Sequence, residues 1–154
     1  MISVITNDSS YIFGSGFPQP SQRYLRAFYG GRRGMGSDKE VAMSSSGLNI
    51  KEREQENHVL IEIEGEVDIF TCQQLKDMLY HVVEKYGKDL LMDCARLNYI
   101  DSTGLGVFVA VLKKVRQIER EITIINLKDS ILKLFLITNL DSLFNIKDNA
   151  NSTL

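Results

Sequence analysis

Asp101 and Ser102 stand directly ahead of a stretch of helical apolar periodicity, in the segment Ile100-Asp101-Ser102-Thr103-Gly104-Leu105-Gly106. Both are strong N-cap residues, because their side-chain oxygens accept hydrogen bonds from the free N–H groups of a helix's first turn. A hydroxyl is thereby displayed at the positive end of a helix, beside a carboxylate. Gly104 and Gly106 fall inside that first turn, where each costs roughly 1 kcal/mol against Ala. Capping alone does not explain them. Small residues there let another backbone or a partner surface approach the helix start closely.

Three catalytic uses of such a segment are excluded by its spacing. An aspartic protease needs Asp, then Thr or Ser, then Gly, supplied twice; one residue too many separates Asp101 from Gly104, and there is no second copy. A serine-hydrolase elbow needs Gly-x-Ser-x-Gly, but Ile100 stands where the first Gly belongs, and neither His58 nor His81 is offered as a base. A phosphate-gripping loop ends in Gly-Lys-Ser/Thr, and no lysine follows these glycines. The expectation is a protein without catalysis of its own, without a cofactor and without a metal site.

The elements that must position this segment follow from periodicity. Leu48 to Arg53 reads as a strand. Val59 to Glu64 alternates apolar and acidic residues, the pattern of a half-buried strand, and the polar piece Glu54 to Asn57 makes the two a hairpin. Leu75, Leu79, Val82, Val83 and Tyr86 form a helical stripe that stops at Gly87. Lys88 to Asp93 reads as a third strand, with a continuous apolar run that suits a central strand covered on both faces. A turn-like segment leads from it to Asp101. After Ser102 the stripe Leu105, Phe108, Leu112 and Val115 is widened by Val107, Val111 and Ile118. Lys113, Lys114, Arg116 and Arg120 gather toward that helix's end and read as a solvated face that compensates the dipole. Ile122 to Asn126 is a fourth strand, Ser130 caps a short helix through Ile131, Leu134 and Phe135, and Phe144 to Ile146 adds a short edge strand. Strands separated by helices of this length pair in parallel. The opening hairpin makes the sheet mixed, so the fold class is α/β with helices packed on a four- to five-stranded sheet.

Residues 1–42 differ in kind. They hold both prolines and six of the 11 glycines, and no apolar period persists. They read as a flexible Gly/Ser/Arg-rich leader, native or otherwise, with Met35 and Met43 as alternative starts and 43–154 as the single domain. Their charge is +2 while the chain as a whole carries −2, so the domain is acidic. Tyr24 to Arg33 mixes aromatic and basic residues, but one short patch does not make a nucleic-acid surface. No apolar run reaches the roughly 18 residues of a membrane span, and no apolar block near residue 1 reads as a signal peptide. Cys72 and Cys94 lack metal spacing and read as buried, reduced thiols in a cytoplasmic protein.

The segment from Met92-Asp93-Cys94 through Tyr99-Ile100-Asp101-Ser102-Thr103-Gly104-Leu105-Gly106 resembles the signature of bacterial anti-sigma factor antagonists, members of the STAS domain family (sulfate transporter and anti-sigma antagonist). Gly65-Glu66-Val67-Asp68 is similar to the family's Gly-acid-apolar-Asp after the second strand. Ile137-Thr138-Asn139-Leu140-Asp141 with Phe144 is similar to its Thr-Gly-Leu-Asp…Phe segment. Asn139 takes the place of the Gly, and Asn also tolerates the left-handed region. The resemblance covers residues 47–148.

It implies a small switch protein that binds an anti-sigma factor, itself a serine kinase, and so releases a sigma factor. Phosphorylation by that kinase switches binding off, and a serine phosphatase reverses it. Residue by residue, the resemblance makes Ser102 the phosphate acceptor, with Asp101, Thr103 and Gly104 beside it and Asp68 as the neighbouring acid in the partner surface. It implies no direct nucleic-acid or membrane contact, and a monomer or weak dimer. The alternative is a STAS-type scaffold or ligand-responsive binding module outside any sigma pathway.

Overall fold

The computed structural model describes residues 41–45 and 47–147. Most of the expected leader, and the polar tail after Lys147, lie outside the described residues. The elements run β1 (Val41–Ser45), β2 (Leu48–Glu54), β3 (His58–Val67), α1 (Cys72–Tyr86), β4 (Asp89–Ile100), α2 (Ser102–Gln117), β5 (Ile122–Ile125), α3 (Asp129–Ile137), a 3-10 turn at Leu140–Ser142, and β6 (Asn145–Lys147). The sheet has six strands in the order of the chain. β1, β2 and β3 are antiparallel, and β3, β4, β5 and β6 are parallel. The mixed α/β architecture is the one expected, with β1 as an additional edge strand that begins at Val41, two residues ahead of the expected domain start.

The β2–β3 register is held at its end by a glycine that no other residue can replace without strain. Gly65 has φ +107°, and a Cβ there would lie 2.0 Å from the Gly47 carbonyl oxygen. That same oxygen accepts a hydrogen bond from the Glu66 N–H at 2.8 Å. A register slip would turn every side chain of β3 over, so this contact protects the alternation that buries Val59, Ile61 and Ile63.

The helices cover one face of the sheet. Alternate residues Leu48 and Ile50 of β2, Leu90, Met92 and Cys94 of β4, and Ile122 and Ile124 of β5 are buried beneath them. Leu75, Met78, Leu79, Val82 and Val83 of α1 meet Phe108, Val111 and Val115 of α2 in the same layer. Phe108, Phe135 and Phe144 close the core edge-to-face, with ring centroids 5.7–6.3 Å apart. The opposite face carries Arg53 and Glu62, paired at 3.4 Å, and Arg96 and Glu64, paired at 3.3 Å. The continuous run Leu90-Leu91-Met92 is therefore not a doubly covered strand: Leu90 and Met92 are buried, while Leu91 is only half-buried on the charged face.

Other expectations are corrected by the pairing. The segment from Cys94 to Ile100 is not a turn but the second half of β4, which stays hydrogen-bonded to β3 through irregular register as far as Val67↔Ile100. Ser130 does not cap α3. The cap position is Lys128, without a side-chain hydrogen bond, and the acid Asp129 opens the first turn. Ile118 lies beyond the end of α2 and is exposed. In the basic cluster of α2, Lys113, Arg116 and Arg120 are exposed, as a solvated face requires, although Arg116 donates to the Leu143 carbonyl at 2.9 Å and Arg120 to the Gly87 carbonyl at 3.0 Å; only Lys114 is drawn in, paired with Glu84. Gly87 ends α1 in the left-handed region, as expected. Both cysteines are free, but Cys72 is only half-buried; Cys94 is fully buried, and burial pushes its thiol well above its ordinary range.

One inward position of β2 is charged. Glu52 is fully buried and accepts from Lys85 Nζ at 2.9 Å and Tyr86 Oη at 3.0 Å. His81, one turn back on α1, is held below its ordinary value of 6.5, chiefly by burial and further by the Lys85 charge, against the opposing pull of Glu52 and Glu84. The folded state therefore favours the neutral imidazole. Its contribution to stability is complete above the unfolded value and falls away as pH drops below it. Replacing His81 with Gln is expected to flatten the stability–pH curve between about pH 5 and 7, where the unfolded imidazole titrates. Urea midpoints across that window check this; an unchanged slope contradicts it.

Candidate functional site

Ser102 begins α2 where β4 ends. Asp101 is its N-cap, with extended backbone (φ −104°, ψ −173°) and a side chain that accepts from the Gly104 N–H at 3.0 Å. The Thr103 hydroxyl also donates to Asp101 Oδ1. These two hydrogen bonds, the Thr103 one first, hold the Asp101 carboxyl below the usual carboxylate range. Asp101, Thr103 and Gly104 thus form one local network. Ser102 and Thr103 are both exposed, while Gly104 is buried.

The two glycines of the first turn have different causes. A Cβ on Gly104 would lie 2.6 Å from Ile100 Cγ1 and 2.7 Å from Val67 Cγ1. The helix start is pressed onto the ends of β3 and β4, and only glycine fits between. A Cβ on Gly106 would meet nothing within 4 Å. Gly106 faces open space and leaves the surface beside Ser102 flat.

Asp68 reaches the same edge of the sheet by a different route. It follows Val67, and the Val67 carbonyl accepts the Asp101 N–H at 3.2 Å, which ties the two loops together. The Asp68 carboxylate is turned into its own loop. Its Oδ1 accepts from the Phe70 N–H at 2.8 Å and the Thr71 N–H at 3.0 Å, and lies 3.2 Å from Thr71 Oγ1. Thr71 is buried, and its hydroxyl lies 2.9 Å from the Asp68 N–H and donates to the Glu66 carbonyl at 2.8 Å. Asp68 therefore shapes the β3–α1 loop in addition to supplying a charge at the edge.

Val67 and Ile100 stand in the sequence only as members of their motifs, with no hint that they seat the two loops, and Thr71, Ile69 and Phe70 carry no assigned role there, although the last two are held outward at 67% and 89% exposure. A signal for the last pair was present: two apolar residues follow Asp68 yet fit neither the alternation of β3 nor the α1 stripe that begins at Leu75. No helix among the described residues is long and apolar enough to cross a membrane.

The geometry is thus an α/β layer with an exposed serine opening a capped helix at the carboxyl edge of the parallel strands. A model of the STAS domain matches residues 49–152, and the chain belongs to that family. Among its relatives is the anti-sigma-B factor antagonist of Listeria monocytogenes, 39% identical over 101 residues that make up 66% of this chain and 88% of the relative. The anti-sigma-B factor antagonist of Staphylococcus aureus is 33% identical over 101 residues, 66% of this chain and 94% of its own. The same fold is seen in the crystal structure of an anti-sigma factor antagonist from Mycobacterium paratuberculosis, with a TM-score of 0.60, 17% identity, and coverage of 67% of this chain and 87% of that one.

The two glycines give a paired test. Gly104→Ala is expected to destabilise the domain by about 1–3 kcal/mol, the usual cost of overpacking a tight contact. Gly106→Ala is expected to be neutral or to stabilise by up to about 1 kcal/mol, since it gains helix propensity in open space. Denaturant unfolding of both variants decides this, and effects of the same sign and size would contradict the different roles assigned to them.

Proposed function

We propose that this protein is an anti-sigma factor antagonist whose binding to an anti-sigma factor is switched by phosphorylation of Ser102. The anti-sigma factor is itself the serine kinase that modifies the site, and a serine phosphatase restores the hydroxyl. In the unmodified form the protein occupies the anti-sigma factor and so frees a sigma factor. Asp68, Asp101, Thr103 and Gly104 belong to the same partner surface, the first two as acids around the acceptor, Thr103 as the hydroxyl that anchors Asp101, and Gly104 as the seat of the helix.

The observation that carries this reading is the geometry of the α2 tip. Ser102 is exposed at the first helical position, free for an enzyme to approach, while the neighbouring Thr103 hydroxyl is engaged by Asp101. The relatives named anti-sigma-B factor antagonist support the pathway.

The same geometry decides how phosphate would act. An anion at a helix N-terminus is ordinarily favoured by about 0.3–1 kcal/mol. Here Asp101 already takes the Gly104 N–H and lies beside the acceptor, so much of that gain is spent. A phosphate brings about −1.5 to −2 charge into a surface that already carries acids. The unfavourable term then falls on the partner interface, not on the fold, because nothing in the core of α2 depends on the Ser102 side chain.

Ser102→Asp, or stoichiometric phosphorylation, is expected to leave the thermal midpoint within a few degrees of wild type and to weaken binding to the anti-sigma factor kinase by about 100-fold, equivalent to about 2.7 kcal/mol. Ser102→Ala should bind like wild type and take up no phosphate. Calorimetric titration of the three forms, with mass spectrometry of the kinase-treated protein, checks both. Equal dissociation constants for the wild type and Ser102→Asp, or full labelling of Ser102→Ala at Thr103, would sink the proposal.

A further inference from the structure

Ile69 and Phe70 sit on the loop between β3 and α1 with 67% and 89% of their surfaces exposed, the latter the most exposed large apolar side chain among the described residues. An aromatic held almost wholly in water gives up the stabilisation its burial would provide. It is not a loosely held side chain that could fold back onto the core. The Phe70 N–H donates to Asp68 Oδ1 at 2.8 Å, the next N–H donates to the same oxygen at 3.0 Å, and the buried Thr71 hydroxyl pins the turn to the Glu66 carbonyl. Four consecutive residues are thus locked so that Ile69 and Phe70 point away from the domain.

The loop is continuous with the Ser102 surface. The Asp101 N–H donates to the Val67 carbonyl at 3.2 Å, so the residue that caps α2 is bonded to the residue that precedes Asp68. The loop that presents Phe70 is thus hydrogen-bonded at its base to the residue that precedes Ser102. The half-exposed Tyr99 of β4, 50% accessible, and the exposed Glu66 of β3 pair across the same strand ends.

We infer that Phe70, supported by Ile69, is the apolar anchor by which the protein docks onto the serine kinase that acts on Ser102. This rests on the reading given under Proposed function and deepens it. The chemistry defines the partner's side of the contact: an apolar slot for the Phe70 ring beside a surface that accepts the neutral Ser102 hydroxyl. Aromatic residues held rigidly at a surface are the usual carriers of binding energy, since little conformational freedom is lost when they are covered. The anchor supplies affinity, and the charge state of Ser102 supplies the switch.

The test uses the full chain and the source cell's serine kinase, purified on its ability to transfer phosphate to Ser102. Wild type, Phe70→Ala, Phe70→Leu and Ile137→Ala are titrated against it, and their phosphorylation kinetics are followed. Ile137 serves as control, being 81% exposed at the end of α3. The expected result is that Phe70→Ala weakens binding at least about ten-fold and raises KM with kcat nearly unchanged, the signature of lost uniform binding. Phe70→Leu should fall between, Ile137→Ala should stay within about two-fold of wild type, and all should unfold cooperatively near the wild-type midpoint, as exposed substitutions do. Wild-type affinity in Phe70→Ala overturns the anchor while leaving the phosphorylation reading intact. An equal loss in Ile137→Ala overturns it as well, by showing general apolar adhesion. Concentration-dependent self-association that disappears in Phe70→Ala, with kinase binding unchanged, assigns the residue to a second copy of this chain instead. If no kinase labels Ser102, the functional reading itself fails and the anchor fails with it.

Discussion

The site depends on one steric constraint: the first turn of α2 rests directly on Val67 and Ile100, and it can do so only because position 104 has no side chain. Glycine in a helix is a liability of about 1 kcal/mol. Here it is offset by close packing between the helix start and the final paired residues of β3 and β4. That seat brings the Asp101 N–H within bonding distance of the Val67 carbonyl, aims the Asp101 carboxylate at the Gly104 N–H, and leaves Ser102 outermost. A larger residue at 104 would lift the turn and loosen all three relations together.

The sheet explains why the site sits at an edge. Parallel strands β3, β4, β5 and β6 all deliver their chains to the same side, and the loops that leave there are the natural place for recognition. Those loops are fixed by short side-chain bonds to the strand ends. Asp68 and Thr71 hold the first, and Asp101 and Thr103 hold the second. In the third, Asn126 Nδ2 donates to Asp93 Oδ1 at 2.8 Å, and Lys128 is bonded to Asn98. The helices cover one face of the sheet and the other keeps its charged pairs, so neither face of the sheet needs to move for the edge to be used.

Much of this was legible in the residues. The alternation of Val59, Ile61 and Ile63, the stripe of α1, the stop at Gly87 and the cap at Asp101 are local signals, and each formed as read. Asn139 adopts φ 58°, the left-handed conformation its place in the family segment requires. What the sequence did not disclose is tertiary. Cys94 to Ile100 looks like a turn because its polar residues break the apolar run, yet pairing with β3 carries it on as strand. Leu91 reads as core by type, but alternation puts it on the charged face. Glu52 is charged and yet fully buried, because Lys85 and Tyr86 come down from α1 to meet it. Gly104 and Gly106 look alike on the page, and only the positions of Val67 and Ile100 separate a packing glycine from an open one. Ile69 and Phe70 had no place in either neighbouring pattern, and their misfit was the only trace of their exposure.

The proposed switch follows from how little the helix tip can respond. A phosphate that found free N–H groups at the end of α2 could draw the turn toward itself and reshape it. In this domain the Asp101 carboxylate already satisfies the Gly104 N–H and the Thr103 hydroxyl, and Gly104 is clamped between two side chains. The tip is therefore both electrostatically occupied and mechanically fixed. Under the proposed reading, charge added at Ser102 gains less from this tip than from an uncapped helix end, and its effect is expressed outward, in whatever surface lies against it. A rigid edge is what allows a single esterified hydroxyl to change affinity without changing the fold.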